Sequence, residues 1–205
     1  MLLIGYADAL VLLAGEEGGE GWLSYCERLE IYQLPTAEWV DALAGAILPL
    51  GAERPVEVGA GSGELGRALI ERGIPFALTD PAGTGSAGPD PEGGSVRLGG
   101  VERLGAREAL ERHRPDLVLS CWLPFDSGAE EMILADPGVR WYLAIVQTGP
   151  GFAGSGALWR NPAWRAAPIG EADRWSVSRS DYLSEVTADE HARHGAAFLL
   201  TRQAP

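Results

Sequence analysis

Apolar residues recur at helical spacing in the first quarter of the chain and at strand-like density further on. Residues 1 to about 50 read as helical, and Thr36 to Leu48 gives the clearest pattern. Trp39, Val40, Leu43 and Ile47 form one apolar stripe, Thr36 can cap the start, and Glu38 and Asp41 suit the positive end. Pro49 and Gly51 end that helix. Val56-Glu57-Val58 then predicts a strand, a glycine cluster predicts a turn, and Glu64 to Arg72 predicts a helix. Ile74 to Thr79 reads as a second strand, ending at Asp80. Residues 81–95 are rich in Pro, Gly, Ser and Asp and predict a mobile loop. A short strand over Ser95 to Leu98 is expected next, then a helix from Gly105 to His113 and a strand from Asp116 to Ser120. A helix around Met132 and a strand from Trp141 to Val146 follow. Arg174 to Arg179 and Ala196 to Thr201 are expected to close the sheet as a hairpin. Strands alternating with helices predict an α/β domain with a mainly parallel sheet, which binds ligands at the carboxyl ends of its strands. The whole chain reads as one domain, with a helical N-terminal cap over residues 1–50 and a core over residues 53–202.

Charge narrows the chemistry. Twenty-nine acidic against sixteen basic residues give a net charge of -13, which counts against long nucleic acid as a partner. The chain has no lysine, so Schiff-base chemistry and lysine bases are excluded. Its two cysteines, Cys26 and Cys121, lie far apart in no metal-ligand spacing, so no metal is expected and free thiols in a cytoplasmic protein are. No apolar run reaches the length of a membrane span, and the opening Met1-Leu2-Leu3-Ile4 lacks the basic flank of a secretory signal.

The glycine cluster is the most informative stretch: Glu57-Val58-Gly59-Ala60-Gly61-Ser62-Gly63-Glu64-Leu65-Gly66. A strand that turns directly into a helix leaves backbone N–H groups at the helix start, and glycine lets a ligand approach them closely. Gly61, Gly63 and Gly66 satisfy G-x-G-x-x-G, the weak fingerprint of NAD binding. An NAD-dependent oxidoreductase therefore stays open. Glu57, two residues before Gly59, favours a cationic ligand instead, because a carboxylate beside a diphosphate is repulsive.

With its acidic-x-Gly-x-Gly-x-Gly run after a helical preamble, the chain resembles the class I S-adenosyl-L-methionine (SAM) methyltransferases. The resemblance implies a Rossmann-like seven-strand, mostly parallel sheet and a transferase with SAM as cofactor. It assigns Glu57, Gly59, Ala60, Gly61 and Gly63 to the methionine part, and Asp80 with Pro81 to the ribose. Asp80 also suits a simple turn before Pro81. Gly100 and Val101 would hold the adenine through their backbone, since no acidic residue occupies Leu98 to Val101. The resemblance is closer to a methyltransferase-like group with a Ser-Trp-Pro-Pro-Tyr-like loop. Three stretches carry it: Tyr25-Cys26-Glu27-Arg28-Leu29-Glu30-Ile31-Tyr32-Gln33-Leu34-Pro35, Ser120-Cys121-Trp122-Leu123-Pro124-Phe125-Asp126 and Asp173-Arg174-Trp175-Ser176-Val177-Ser178-Arg179.

Ser120, Cys121 and Trp122 are accordingly expected near the cofactor. Trp122 stands where amino-methylating relatives carry a polar residue, which counts against methylation of a nucleobase or amide nitrogen. A small-molecule O or N nucleophile is the expected acceptor, and no catalytic base is assigned. A methyltransferase-like protein that acts by binding alone is the alternative. Asp126 suits a helix cap, and His191 and His194 a solvated turn, as well as chemistry. Trp159, Trp164 and Trp175 suit either core or pocket, and Tyr25 and Tyr32 can help the N-terminal segment cover the site.

Overall fold

A computed structural model describes residues 3–15, 20–82, 100–125, 127–147, 154–181 and 195–203. The expected strand over Ser95 to Leu98, most of the 81–95 loop, Asp126, His191 and His194 lie outside the described residues.

The N-terminal third is helical, as its periodicity predicts: α1 (Tyr6–Gly15), α2 (Glu20–Arg28) and α3 (Ala37–Ile47). Thr36 caps α3, its hydroxyl accepting the Trp39 N–H at 3.3 Å. The stripe Trp39, Val40, Leu43, Ala44 and Ile47 is buried. Strand β1 (Pro55–Val58) follows, buried along its whole length as a central strand of a covered sheet must be. It turns into α4 (Glu64–Ile70). Strand β2 is confined to Ala77–Thr79, because Ile74 and Phe76, although buried, belong to a turn in which Phe76 N–H bonds Ile74 O. Then come β3 (Val101–Glu102), α5 (Ala106–His113), β4 (Leu117–Cys121), α6 (Ala129–Ala135), β5 (Trp141–Gln147), α7 (Ala157–Arg160), β6 (Trp164–Pro168), α8 (Gly170–Asp173) and β7 (Gly195–Arg202).

The described strands make one seven-stranded sheet in the order β3-β2-β1-β4-β5-β7-β6. The first five in that order are parallel, and β7 runs antiparallel to both β5 and β6. Helices α3, α4 and α8 cover one face, against Leu78, Leu119, Leu143 and Ile145. Helices α5, α6 and α7 cover the other, against Val56, Val118, Tyr142 and Leu200. A third cluster, Ala9, Trp22, Cys26 and Val177, joins the N-terminal helices to the segment after α8.

The closing hairpin corrects the sequence reading. The partner of β7 is Trp164–Pro168, not Arg174 to Arg179. Only Trp164 of β6 is buried, so this edge strand carries no alternation to read. Arg174 to Arg179 forms no strand of the sheet and is satisfied elsewhere. Val177 packs on Trp22 and Cys26, Leu34 N–H bonds Val177 O, and Ser178 bridges Gln33.

Candidate functional site

Consecutive strands in the order β1-β4 diverge from one another, since β1 leads through α4 to β2 on one side and β4 leads to β5 on the other. Ligands of open α/β sheets bind outside the carboxyl ends of strands at such a switch point. The glycine run and the Trp122 loop both leave the sheet there.

Four glycines shape the turn, and three of them make room for protein. Gly59 has φ 72°, and a Cβ on it would meet Leu123 Cδ2 at 2.6 Å. Gly63 has φ 77°, and a Cβ there would meet Val101 Cγ2 at 2.7 Å. A Cβ on Gly66 would run into Glu57 Oε2 and Leu78 Cδ2, so this glycine brings α4 down on the sheet. Gly61 differs: with φ 54°, its Cβ would meet nothing within 4 Å among the described residues. Among the described residues, Gly61 is the one glycine of the four beside which no protein atom would meet an added Cβ. Ala60 between them donates its N–H to Thr79 O at 2.9 Å, tying the turn to β2.

Asp80, 9% exposed, follows β2 directly. Its Oδ2 accepts the Gly61 N–H at 2.9 Å and its Oδ1 the Ala82 N–H at 2.8 Å. The carboxylate thus fixes the glycine turn and the Pro81 turn at once, and each oxygen keeps a second lone pair for a further donor.

Glu57 is 1% exposed and lies under the first turn of α4. Its Oε2 has no hydrogen-bond partner among the described residues. Burial pushes its carboxyl up to about 8, with the Gly66 N–H and the Arg67 charge pulling down and Asp80 pushing up. A carboxyl raised by burial keeps its proton until a cation reaches its neighbourhood and favours the charged form. Cys121, at the end of β4, has its thiol raised by burial and then by Glu57, which leaves it protonated and unsuited to nucleophilic attack.

Residues of the fourth-strand loop separate. Ser120 is 1% exposed, and its hydroxyl pairs with Tyr142 Oη at 2.7 Å. Tyr142 in turn donates to Glu130 Oε1, and Glu130 Oε2 accepts the Ser155 N–H. Ser120 therefore belongs to a buried chain under α6. Trp122 adopts φ 57°, a left-handed conformation that is strained for a bulky residue. Its N–H is held by Ile145 O at 2.9 Å, and its ring lies 6.1 Å from that of Tyr32. Tyr32 thus meets the fourth-strand loop as a covering segment would, whereas Tyr25 stacks on Trp22 at 5.7 Å within the third cluster. Phe125, three residues after Trp122, is 53% exposed.

Gly100 and Val101 stand differently from their expected place after the third strand. Val101 is the first residue of β3 and its side chain is buried beneath Gly63, while Gly100 precedes it with φ 91°. Two cavities, of about 440 and 380 Å³, lie along the β3–α5 edge and do not include the glycine turn. The larger is lined by Arg67, Phe76, Gly100, Glu102 and His113. The tryptophans divide as well. Trp164 is core, bonded to Leu134 O, and Trp159 is half exposed on Phe198. Trp175 packs edge-on to Tyr6. Gln33, which lies in the first of the three resembling stretches but was given no role of its own, accepts the Trp122 indole N–H.

Among the described residues, no group of three or more His, Cys, Asp or Glu could hold a metal, and no helix is long and apolar enough to cross a membrane. Comparison with known proteins finds no matching family model, no matching curated protein and no matching solved structure.

Proposed function

We propose that this protein is a SAM-dependent methyltransferase of class I type acting on a small-molecule O or N nucleophile. The observation that carries the reading is the glycine turn itself, at positive φ at Gly59, Gly61 and Gly63, anchored by Asp80 and underlain by the buried Glu57. Two further features support it over a nicotinamide enzyme. A dinucleotide fold orders its strands 3-2-1-4-5-6 in parallel, whereas here an antiparallel strand lies between the fifth and sixth. A seven-strand sheet of this kind accords with the methyltransferase resemblance. The Asp80 carboxylate beside the turn also suits the ammonium and sulfonium of SAM better than a diphosphate.

In this reading the backbone of Gly59 to Gly63 cradles the methionine portion, and the remaining lone pairs of Asp80 accept the ribose hydroxyls. Bound SAM supplies an electrophilic methyl group and a neutral thioether leaving group. The protein's part is to align the acceptor with that methyl and exclude water, and no side chain of the site is placed as a base. The same fit would serve a protein that binds SAM without turnover. The burial of Ser120 on Tyr142 favours that variant, because it removes the loop's hydroxyl from the site.

Calorimetric titration of the intact protein with S-adenosylhomocysteine and with NAD is the test. Binding of S-adenosylhomocysteine alone is expected. NAD binding alone, or binding of neither, would overturn the proposal. An Asp80→Asn variant is a poorer test, because losing one carboxylate oxygen also releases the Gly61 or Ala82 N–H.

A further inference from the structure

Gln33 connects three parts of the chain. It is 9% exposed, in the segment between α2 and α3. Its Oε1 accepts the Trp122 indole N–H at 3.3 Å, and its Nε2 donates to Ser176 Oγ at 2.9 Å. Ser176 Oγ continues to Gly195 O at 2.8 Å, and Gly195 has no side chain where one would strike Gln33 Oε1. The amide is therefore fixed from behind by β7 and presents one oxygen to the indole. Trp122 needs such a hold. Its left-handed backbone persists only when its surroundings over-determine it, and Ile145 O on the N–H, Gln33 on the ring and the packing of the ring against the core contribute to that. The next residue, Leu123, fills the space beside Gly59, so a change at Trp122 reaches the glycine turn through one residue. Tyr32, 49% exposed, completes the wall at 6.1 Å from Trp122, with the Arg179 guanidinium 4.9 Å from its own ring centre.

We propose that Gln33 is a positioning residue that sets the Trp122 indole as the wall of the ligand site, so that the N-terminal cap and the glycine turn respond together to the ligand. The proposal rests on the methyltransferase reading for the ligand's identity only. The test uses the intact protein labelled with 5-fluorotryptophan, the Trp122 fluorine signal being assigned through Trp122→Phe, together with S-adenosylhomocysteine titrations. Gln33→Leu is expected to displace the Trp122 signal. Its affinity should fall about three- to tenfold, the effect of one lost neutral hydrogen bond. Trp122→Phe should lose a similar amount, and the double variant no more than either, since the two act as one unit. Gln33→Glu keeps the acceptor and should keep the signal near its parental position. It also serves if Gln33→Leu does not fold. Ser176→Ala, which frees the Gln33 amide from behind, should shift the Trp122 signal in the same direction as Gln33→Leu and lower affinity by less. Additive losses, or an unmoved Trp122 signal in Gln33→Leu, would overturn the proposal. A parent protein that binds no S-adenosylhomocysteine, with the Trp122 signal still moved by Gln33→Leu, overturns the methyltransferase reading and supports the positioning role.

Discussion

Two glutamates, Glu57 and Glu130, are buried to 1% exposure on opposite faces of the sheet, and they are held in opposite ways. On the α6 face, Glu130 receives the Tyr142 hydroxyl on one oxygen and the Ser155 N–H on the other. The segment after β5 is thereby fastened to α6, and Gly154 N–H adds a bond to Leu123 O at 3.3 Å. On the α4 face, Glu57 keeps one oxygen without a partner among the described residues, beside the turn that opens at Gly61. Burial raises both carboxyls from the ordinary range. Equal burial therefore has two meanings. A satisfied carboxylate closes a structural joint, whereas an unsatisfied one next to an open helix start is a cost that a bound cation would offset.

The largest effect that separates the two faces is expected from Glu130→Leu. Two buried donors lose their acceptor, at about 1–3 kcal/mol each, so the urea midpoint should drop steeply. A midpoint within error of the parent would show that the joint carries no weight. Gly66→Ala comes next, at about 1–3 kcal/mol, because the added methyl forces Glu57 and Leu78 away from α4. Its outcome is measured by the same denaturation, and a neutral result would mean that α4 can lift freely. Gly61→Ala should cost only about 1–2 kcal/mol, the penalty of a left-handed backbone with open space around it. Its loss should appear instead in S-adenosylhomocysteine affinity, and a folded variant that binds as the parent does would move the ligand away from this turn.

The fourth comparison is a pH slope, read as a difference between two curves. Glu57 rises from 4.5 to about 8 on folding, so between those values the folded chain holds a proton that the unfolded chain has released. Its contribution to stability is full below about 4.5 and is lost as pH rises through about 8. Glu57→Gln removes this dependence while Glu130 and Asp173, also raised by burial, continue to titrate in both proteins. The difference between variant and parent midpoints should therefore grow from pH 4.5 to pH 8, in favour of the variant. Parallel curves would mean that Glu57 is not held neutral.

The helix at Ala37–Ile47, the strand-turn-helix at Pro55 to Ile70 and the closure of β2 at Asp80 were legible in the chain, because each depends on neighbours within a few residues. A cap hydroxyl, a glycine at positive φ and a 3.6-residue stripe act locally and need no partner to be read. What the partners are was decided only by the tertiary structure. Arg174 to Arg179 was expected to pair with the last strand, but Val177 packs on the N-terminal helices and β6 takes the place beside β7. Ser120, expected near the cofactor, and Gln33, assigned no role, were both placed by distant segments. Strand alternation turned Ser120 toward Tyr142 under α6, and the chain's return after α8 brought Gln33 to Trp122 across 89 positions. Four glycines in one run looked alike, yet Leu123, Val101, and Glu57 with Leu78 fill the space beside three of them. A sequence fixes which backbone angles are permitted at a glycine; only packing from distant segments determines whether the space it leaves is occupied by protein or open to a ligand.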